Sequence, residues 1–367
     1  MPHPCRNLTF AALMAALVMA APIWSAAAAT PVVASPNISL ASIAVQRVFR
    51  STLPSVADYS QTAHTQAKAN EAVVSSDYAL ASPICGASIC GPNSNWVMWD
   101  TPFLLFDNKR ARDGDWGYNS RSSGFATGLT RLFGEYKSIG LALGYDERSL
   151  KGRDGVGQRE DGDAFHAALY GGIGIGDFFM DAYAGFSWTS QRANRGAGAI
   201  SANYNDAILS GGLKLSYVWC LPNEVRIAPA IGLDYSRLHS NAFAERGPGG
   251  DILGRADRSA AELPISLSVN RTFYSNFLAF GDNRSLWTPE ARVSFAPQFG
   301  SRRAGVDSLS SGIRHESARA GRYQAAVGTG LKIQINNRFI LALDYDYRFG
   351  DRGESSHLVT GTYGISF

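Results

Sequence analysis

Beyond residue 95 the chain is a run of alternating segments, and the last two are the clearest. Phe339, Leu341, Leu343, Tyr345 and Tyr347 alternate with Arg338, Ala342, Asp344, Asp346 and Arg348. Successive side chains on a strand point to opposite faces, so one face is apolar and the other charged. The final segment repeats the pattern, with Val359, Tyr363, Ile365 and Phe367 against Thr360, Thr362, Gly364 and Ser366. Gly361 falls on the first face without spoiling it.

The same period predicts twelve strands: 95–106, 123–133, 138–150, 164–173, 178–189, 206–219, 225–236, 261–271, 287–299, 324–334, 338–350 and 357–367. In the third, Ile139, Leu141, Leu143 and Tyr145 take one face, and Gly140, Gly144, Asp146 and Arg148 the other. In the fifth, Phe178, Met180, Ala182, Phe186 and Trp188 oppose Asp181, Tyr183, Ser187 and Thr189. The first segment is the least regular, because Pro102 is expected only near a strand end or bulge.

The connections sort by length. Those at 134–137, 174–177, 220–223 and 335–337 are tight. Those at 107–121, 151–163, 191–205, 237–259 and 300–322 are long and polar. Short and long alternate down the chain, which is the sidedness of a transmembrane barrel with tight turns on one side and longer loops on the other. The connection 272–286 breaks the rule. In lipid every backbone N–H and C=O needs a partner, so a membrane-spanning sheet must close on itself. The expectation is an all-β, twelve-stranded antiparallel outer-membrane β-barrel. Tyr145, Trp188, Trp219, Tyr235, Trp287 and Phe367 near segment ends would form its interfacial girdles.

Composition agrees with many turns and little helical surface: 38 Gly in 367 residues, 11% aromatic and 18% charged. The mean hydropathy of −0.10 does not oppose a barrel, since lumen-facing residues dilute each apolar face. A net charge of +3, with no basic cluster interleaved with aromatics, gives no support to a nucleic-acid partner.

The N-terminus reads as an export signal over 1–29. Arg6 precedes an Ala-, Leu- and Met-rich run at 8–23, and small residues follow at 25–29. A membrane anchor is the alternative, but no basic stop-transfer residues follow the run. Residues 30–54 form a short irregular leader interrupted by Pro31, Pro36 and Pro54. Residues 55–82 begin Ala-rich, without Gly or Pro up to residue 80, and are polar nearly all round. That favours a helix suited to a hydrated pore, roughly 39 Å long at ~1.5 Å per residue. A disordered spacer is the alternative. Residues 83–94 form a loop in which Cys85 and Cys90 are spaced for a small disulfide in an oxidising compartment. Two free thiols are the alternative.

No enzyme motif is present: G-x-S-x-G, H-E-x-x-H and the P-loop are all missing. No catalytic or cofactor-binding residue is assigned. The histidines lack metal-ligand spacing, so no metal is expected either. His166 is expected to face the lumen near the outer rim, as a solvated wall residue with no nucleophile identifiable beside it. Asp146, Arg148, Asp181, Lys214, Arg226, Asp234, Glu290, Arg292, Lys332, Asp344 and Asp346 are expected to line the lumen with both signs of charge.

Several stretches, in this order, resemble the C-terminal translocator domain of type V autotransporters. NWVMWD (95–100) is similar to that family's first strand, and DAFHAALYGGIGIGDFFMDAYAGFSW (163–188) to its central hairpin. LPISLSVNRTF (263–273) and TPEARVSF (288–295) resemble its eighth and ninth strands. The resemblance covers about 95–367 and implies a barrel with a helix in its pore. It implies a protein that delivers an upstream passenger to the bacterial cell surface. It also implies assembly as a monomer in outer-membrane lipid, by periplasmic chaperones and the barrel-assembly machinery, with Tyr363, Ile365 and Phe367 as the assembly signal. Two departures stand out. Only about 65 residues separate signal and barrel, which leaves room for a vestigial passenger. The Asn-Asn pair at which some members cut themselves is missing from the pore-helix region, where Asn70 precedes Glu71. Display of the short N-terminal segment is the function expected. A stand-alone channel is the alternative, followed by a surface adhesin or barrel hydrolase.

Overall fold

The computed structural model describes residues 96–111, 117–133, 137–153, 158–195, 198–248, 250–275, 277, 285–300, 305–310, 314–316, 321–335 and 339–367. The expected signal, leader and pore helix, and the Cys85–Cys90 pair, lie outside them. The described residues form a closed, twelve-stranded antiparallel barrel. Its strands are β1 (Trp96–Lys109), β2 (Tyr118–Leu132), β3 (Lys137–Gly152), β4 (Arg159–Ile175), β5 (Phe178–Arg195) and β6 (Ile200–Tyr217). They continue as β7 (Val225–Ser240), β8 (Ala256–Glu262, Ile265–Arg271 and Phe273–Ser275), β9 (Ser285–Gly300), β10 (Tyr323–Ile335), β11 (Phe339–Gly350) and β12 (Glu354–Ser366).

Each strand pairs with the next, and β1 closes on β12 with Met98 opposite Ile365 and Leu104 opposite Val359. Closure leaves the lipid no free strand edge. Side chains alternate strictly. On β3, Ser138, Ala142, Asp146, Arg148 and Leu150 are buried inside, while Ile139, Leu141 and Leu143 stand exposed outside. Phe165, Leu169, Phe178, Trp188, Leu209, Leu233, Val293 and Leu343 extend that exposed apolar band around the cylinder. A continuous belt of this size would be untenable in water. No helix among the described residues is long and apolar enough to cross a membrane; the strands do the crossing.

Most strands run further than the periodicity indicates, and the largest extensions are toward the long-loop end. β4 begins at Arg159 rather than 164, and β6 at Ile200 rather than 206. Beyond the belt the outward residues become polar (Arg159, Asp161, Asp163; Asn203, Asn205), so the alternation fades although the ladder continues. The connection 272–286 is shorter than it reads, because Phe273–Ser275 pairs with Ser285, Leu286 and Trp287. Pro102 sits mid-strand rather than at an end. Its pairing with β2 is continuous, while the register with β12 skips Thr101 and Pro102, where a proline has no N–H to donate. The tight turn between β4 and β5 is Gly176–Asp177, and Gly176 takes a φ of 61° that a glycine adopts without strain.

Candidate functional site: the barrel lumen

The lumen is built on one repeated device. A long side chain on one strand crosses a glycine on the next to reach a partner on the strand after. Arg292 on β9 passes over Gly328 and Gly330 on β10. Its Nε and Nη2 donate to Asp346 Oδ1 and Oδ2 at 2.9 and 3.0 Å, and its Nη1 donates to Asp344 Oδ1 at 2.8 Å. A Cβ on either glycine would collide with those carboxylates. Tyr183 on β5 passes over Gly212 on β6 and donates to Asp234 Oδ1 on β7 at 3.2 Å. Tyr170 on β4 passes over Gly140 on β3 to bond Thr130 on β2, and Trp99 Nε1 on β1 donates to its hydroxyl at 2.8 Å. Trp99 itself lies over Gly128. These small-residue positions are invisible to a periodicity argument, which scores them only as "not apolar". The available signal was an inward Gly opposite an inward Tyr, Trp or Arg one strand away.

Between the rungs lies a cavity of about 550 Å³. Trp99, Asp181, Lys214, Arg226, Asp234, Glu290, Arg292, Lys332, Asp344 and Asp346 contribute to its wall. The expected lumen charges therefore do face inward, and both signs mix there. The cavity occupies the half of the barrel nearer the tight turns.

The other end carries an inward-packed loop. Loop 241–255 folds in as a small hairpin, with Phe243 and Leu253 paired. Phe243 stacks on Tyr204 at 4.6 Å. Ala193, Ala202, Ile208, Leu238, Leu253 and Ala256 complete a dry cluster there. Around it Arg148 Nη2 meets Glu160 Oε1 at 3.4 Å, Gln191 Nε2 donates to Asp206 Oδ2 at 2.6 Å, and Lys109 Nζ meets Glu354 Oε1 at 3.3 Å.

His166 is not the solvated wall residue expected. It is 4% exposed, with Nε2 bonded to Asp146 Oδ1 at 2.6 Å and Nδ1 to Ser187 Oγ at 2.7 Å. Strands β3, β4 and β5 bring the three together, so a hydroxyl does lie beside it. Its ring orientation is the reverse of a hydrolase relay, and the three side chains are buried away from the cavity wall. The set ties three strands together rather than meeting a substrate.

The three aromatic or aliphatic residues expected to signal assembly face outward along the closing strand. Tyr363 lies opposite Asp100 and Leu341, and Ile365 opposite Met98 and Phe339. Phe367 N donates to Trp96 O at 3.1 Å, so both ends of the barrel chain meet at the turn end. Among the described residues Cys220 forms no disulfide and is half-buried beside β7.

A closed antiparallel cylinder, greasy outside and charged within, is an outer-membrane β-barrel. The autotransporter β-domain family model matches residues 98–346, and the chain belongs to that family. The fold is shared with the translocator domain of the autotransporter NalP from Neisseria meningitidis, at 15% identity and a TM-score of 0.58, covering 83% of this chain and 96% of that one. The β-domain of the Bordetella autotransporter BrkA is 19% identical with a TM-score of 0.57, covering 74% of this chain and all of that one (100%). Outer membrane protein B of Rickettsia prowazekii (strain Madrid E) is 24% identical over 183 residues, which are 46% of this chain. The chain spans 11% of the length of that relative.

Proposed function

We propose that this outer-membrane autotransporter barrel conveys the chain N-terminal to Trp96 toward the cell surface and displays it there. The carrying observation is the position and lining of the cavity. It lies in the turn-end half, where Trp96 joins the preceding segment, and its wall offers acceptors and donors of both signs. A helix with polar side chains all round, of the kind residues 55–82 would form, finds partners in such a wall. An apolar helix would cover that polar wall without offering it hydrogen bonds. Family membership supports the same reading. The barrel acts by conveying polypeptide and carries out no covalent reaction; the Asp146–His166–Ser187 set supports strands. Export by the 1–29 signal, and assembly as a monomer by periplasmic chaperones and the barrel-assembly machinery through Tyr363, Ile365 and Phe367, belong to this proposal. So does a disulfide between Cys85 and Cys90.

Surface proteolysis tests it. An epitope placed beside Asn37 is expected to disappear when intact cells are treated with protease. Persistence of that epitope until the outer membrane is permeabilised would leave the segment periplasmic and remove the display function.

A further inference from the structure

We infer that the outer wall of β7 and β8, just beyond the aromatic girdle, binds the phosphorylated sugar headgroup of an outer-leaflet saccharolipid of the lipid A class. This rests on the outer-membrane location of the barrel, not on what the barrel conveys.

The outward residues of β7 run Ile231, Leu233 and Tyr235 through the belt, and then change to Arg237 and His239. At about 3.3 Å per residue, Arg237 lies roughly 7 Å along the strand beyond Tyr235, where hydrocarbon gives way to headgroups. Asp257 on β8 lies directly opposite His239. Arg255 Nε donates to His239 Nε2 at 2.9 Å, and His239 Nδ1 bonds Asp257 Oδ1 at 2.9 Å. Because Nε2 accepts, the proton sits on Nδ1 and is donated to the carboxylate. Arg237 Nη2 stands 3.7 Å from the same oxygen. Arg255 is thus exposed and held through Nε alone. The Arg237 side chain is 61% exposed.

This face therefore sets two guanidinium groups, those of Arg237 and Arg255, and on neighbouring β6 two amide-bearing residues, Asn203 and Asn205, against one carboxylate, that of Asp257. Guanidinium forks match phosphate oxygens in pairs, and asparagine offers both donor and acceptor to sugar hydroxyls. Below them Tyr235 and Phe299, exposed on the two strands that flank β8, supply a floor for acyl chains. Four strands away, on β3 and β4, the outer wall has the reverse character. There Tyr145 OH bonds Asp163 at 3.0 Å and Glu147 at 3.4 Å, and Arg159 is tied to Asp161 at 2.7 Å. A phosphate would be repelled on that side. The contrast makes the basic face a local site and not a general property of the rim.

Native mass spectrometry of the full chain in detergent micelles tests the assignment. The probes are bisphosphorylated lipid A, the same lipid with both phosphates removed, and phosphatidylglycerol. The wild type is expected to retain bisphosphorylated lipid A at least about tenfold better than either of the others. Arg237→Gln combined with Arg255→Gln should abolish that preference while leaving the folded, unboiled gel band intact. Should the double variant fail to assemble, Arg237→Gln alone is expected to lower retention about threefold. Equal retention of the phosphorylated and dephosphorylated lipids, an equal preference for phosphatidylglycerol, or unchanged retention by the assembled variants would each overturn the site.

Discussion

Glu160 is fully enclosed at the loop end, beyond the apolar belt, and its outward neighbours Arg159 and Asp161 are both charged. Burial pushes its carboxyl up to about 7, and the Arg148 guanidinium opposes this without cancelling it. The folded state thus holds a proton that the unfolded chain has released. Stability should be highest below about pH 4.5, fall as pH rises, and level off above about pH 7, a loss on the order of 3 kcal/mol. Glu160→Gln is expected to flatten this dependence while retaining the packing. Unfolding midpoints between pH 4 and pH 8 check it, and a variant with the wild-type slope would assign the dependence to another group. Nothing in the sequence marks Glu160 as special, because it sits in what reads as a loop. His166 was singled out as an inward residue; its bonds to Asp146 and Ser187 depend on strand register, which spacing along one strand cannot supply.

At the level of elements, alternation predicts every strand but not its full length. Hydrophobic contrast exists only where one face meets lipid. Above the belt, β4 and β6 no longer turn apolar side chains outward, and their ends disappear from the pattern. Glycine shows the converse limit. Gly328 is one among many along the chain, yet its missing side chain lets Arg292 on β9 reach Asp344 and Asp346 on β11. An added Cβ would also come within 2.7 Å of Arg292 Nε. Gly328→Val should therefore break the rung and destabilise the barrel by about 1–3 kcal/mol through overpacking. Gly361, which has nothing within 4 Å of an added Cβ, provides the control and should tolerate Ala with little change. Equal loss at both positions in urea titrations of the assembled barrel would show that the rung adds no strength.

The whole molecule joins three environments: an apolar belt, a charged cavity at the turn end, and a dry cluster at the loop end. Because every strand edge is paired, the barrel should resist sodium dodecyl sulfate at room temperature and unfold only when heated. The unboiled protein is expected to migrate faster on a gel than the boiled one. Identical mobility would deny closure between β1 and β12. Strand count, inside and outside faces, and the two kinds of connection were all legible in the chain, because lipid on one side and water on the other impose a period of two that survives in any register. The glycine crossings, the buried Asp146–His166–Ser187 set, the hairpin over the mouth and the polar upper reaches of the strands were not. Each depends on which residues of neighbouring strands stand side by side, and that relation arises only when the cylinder has closed.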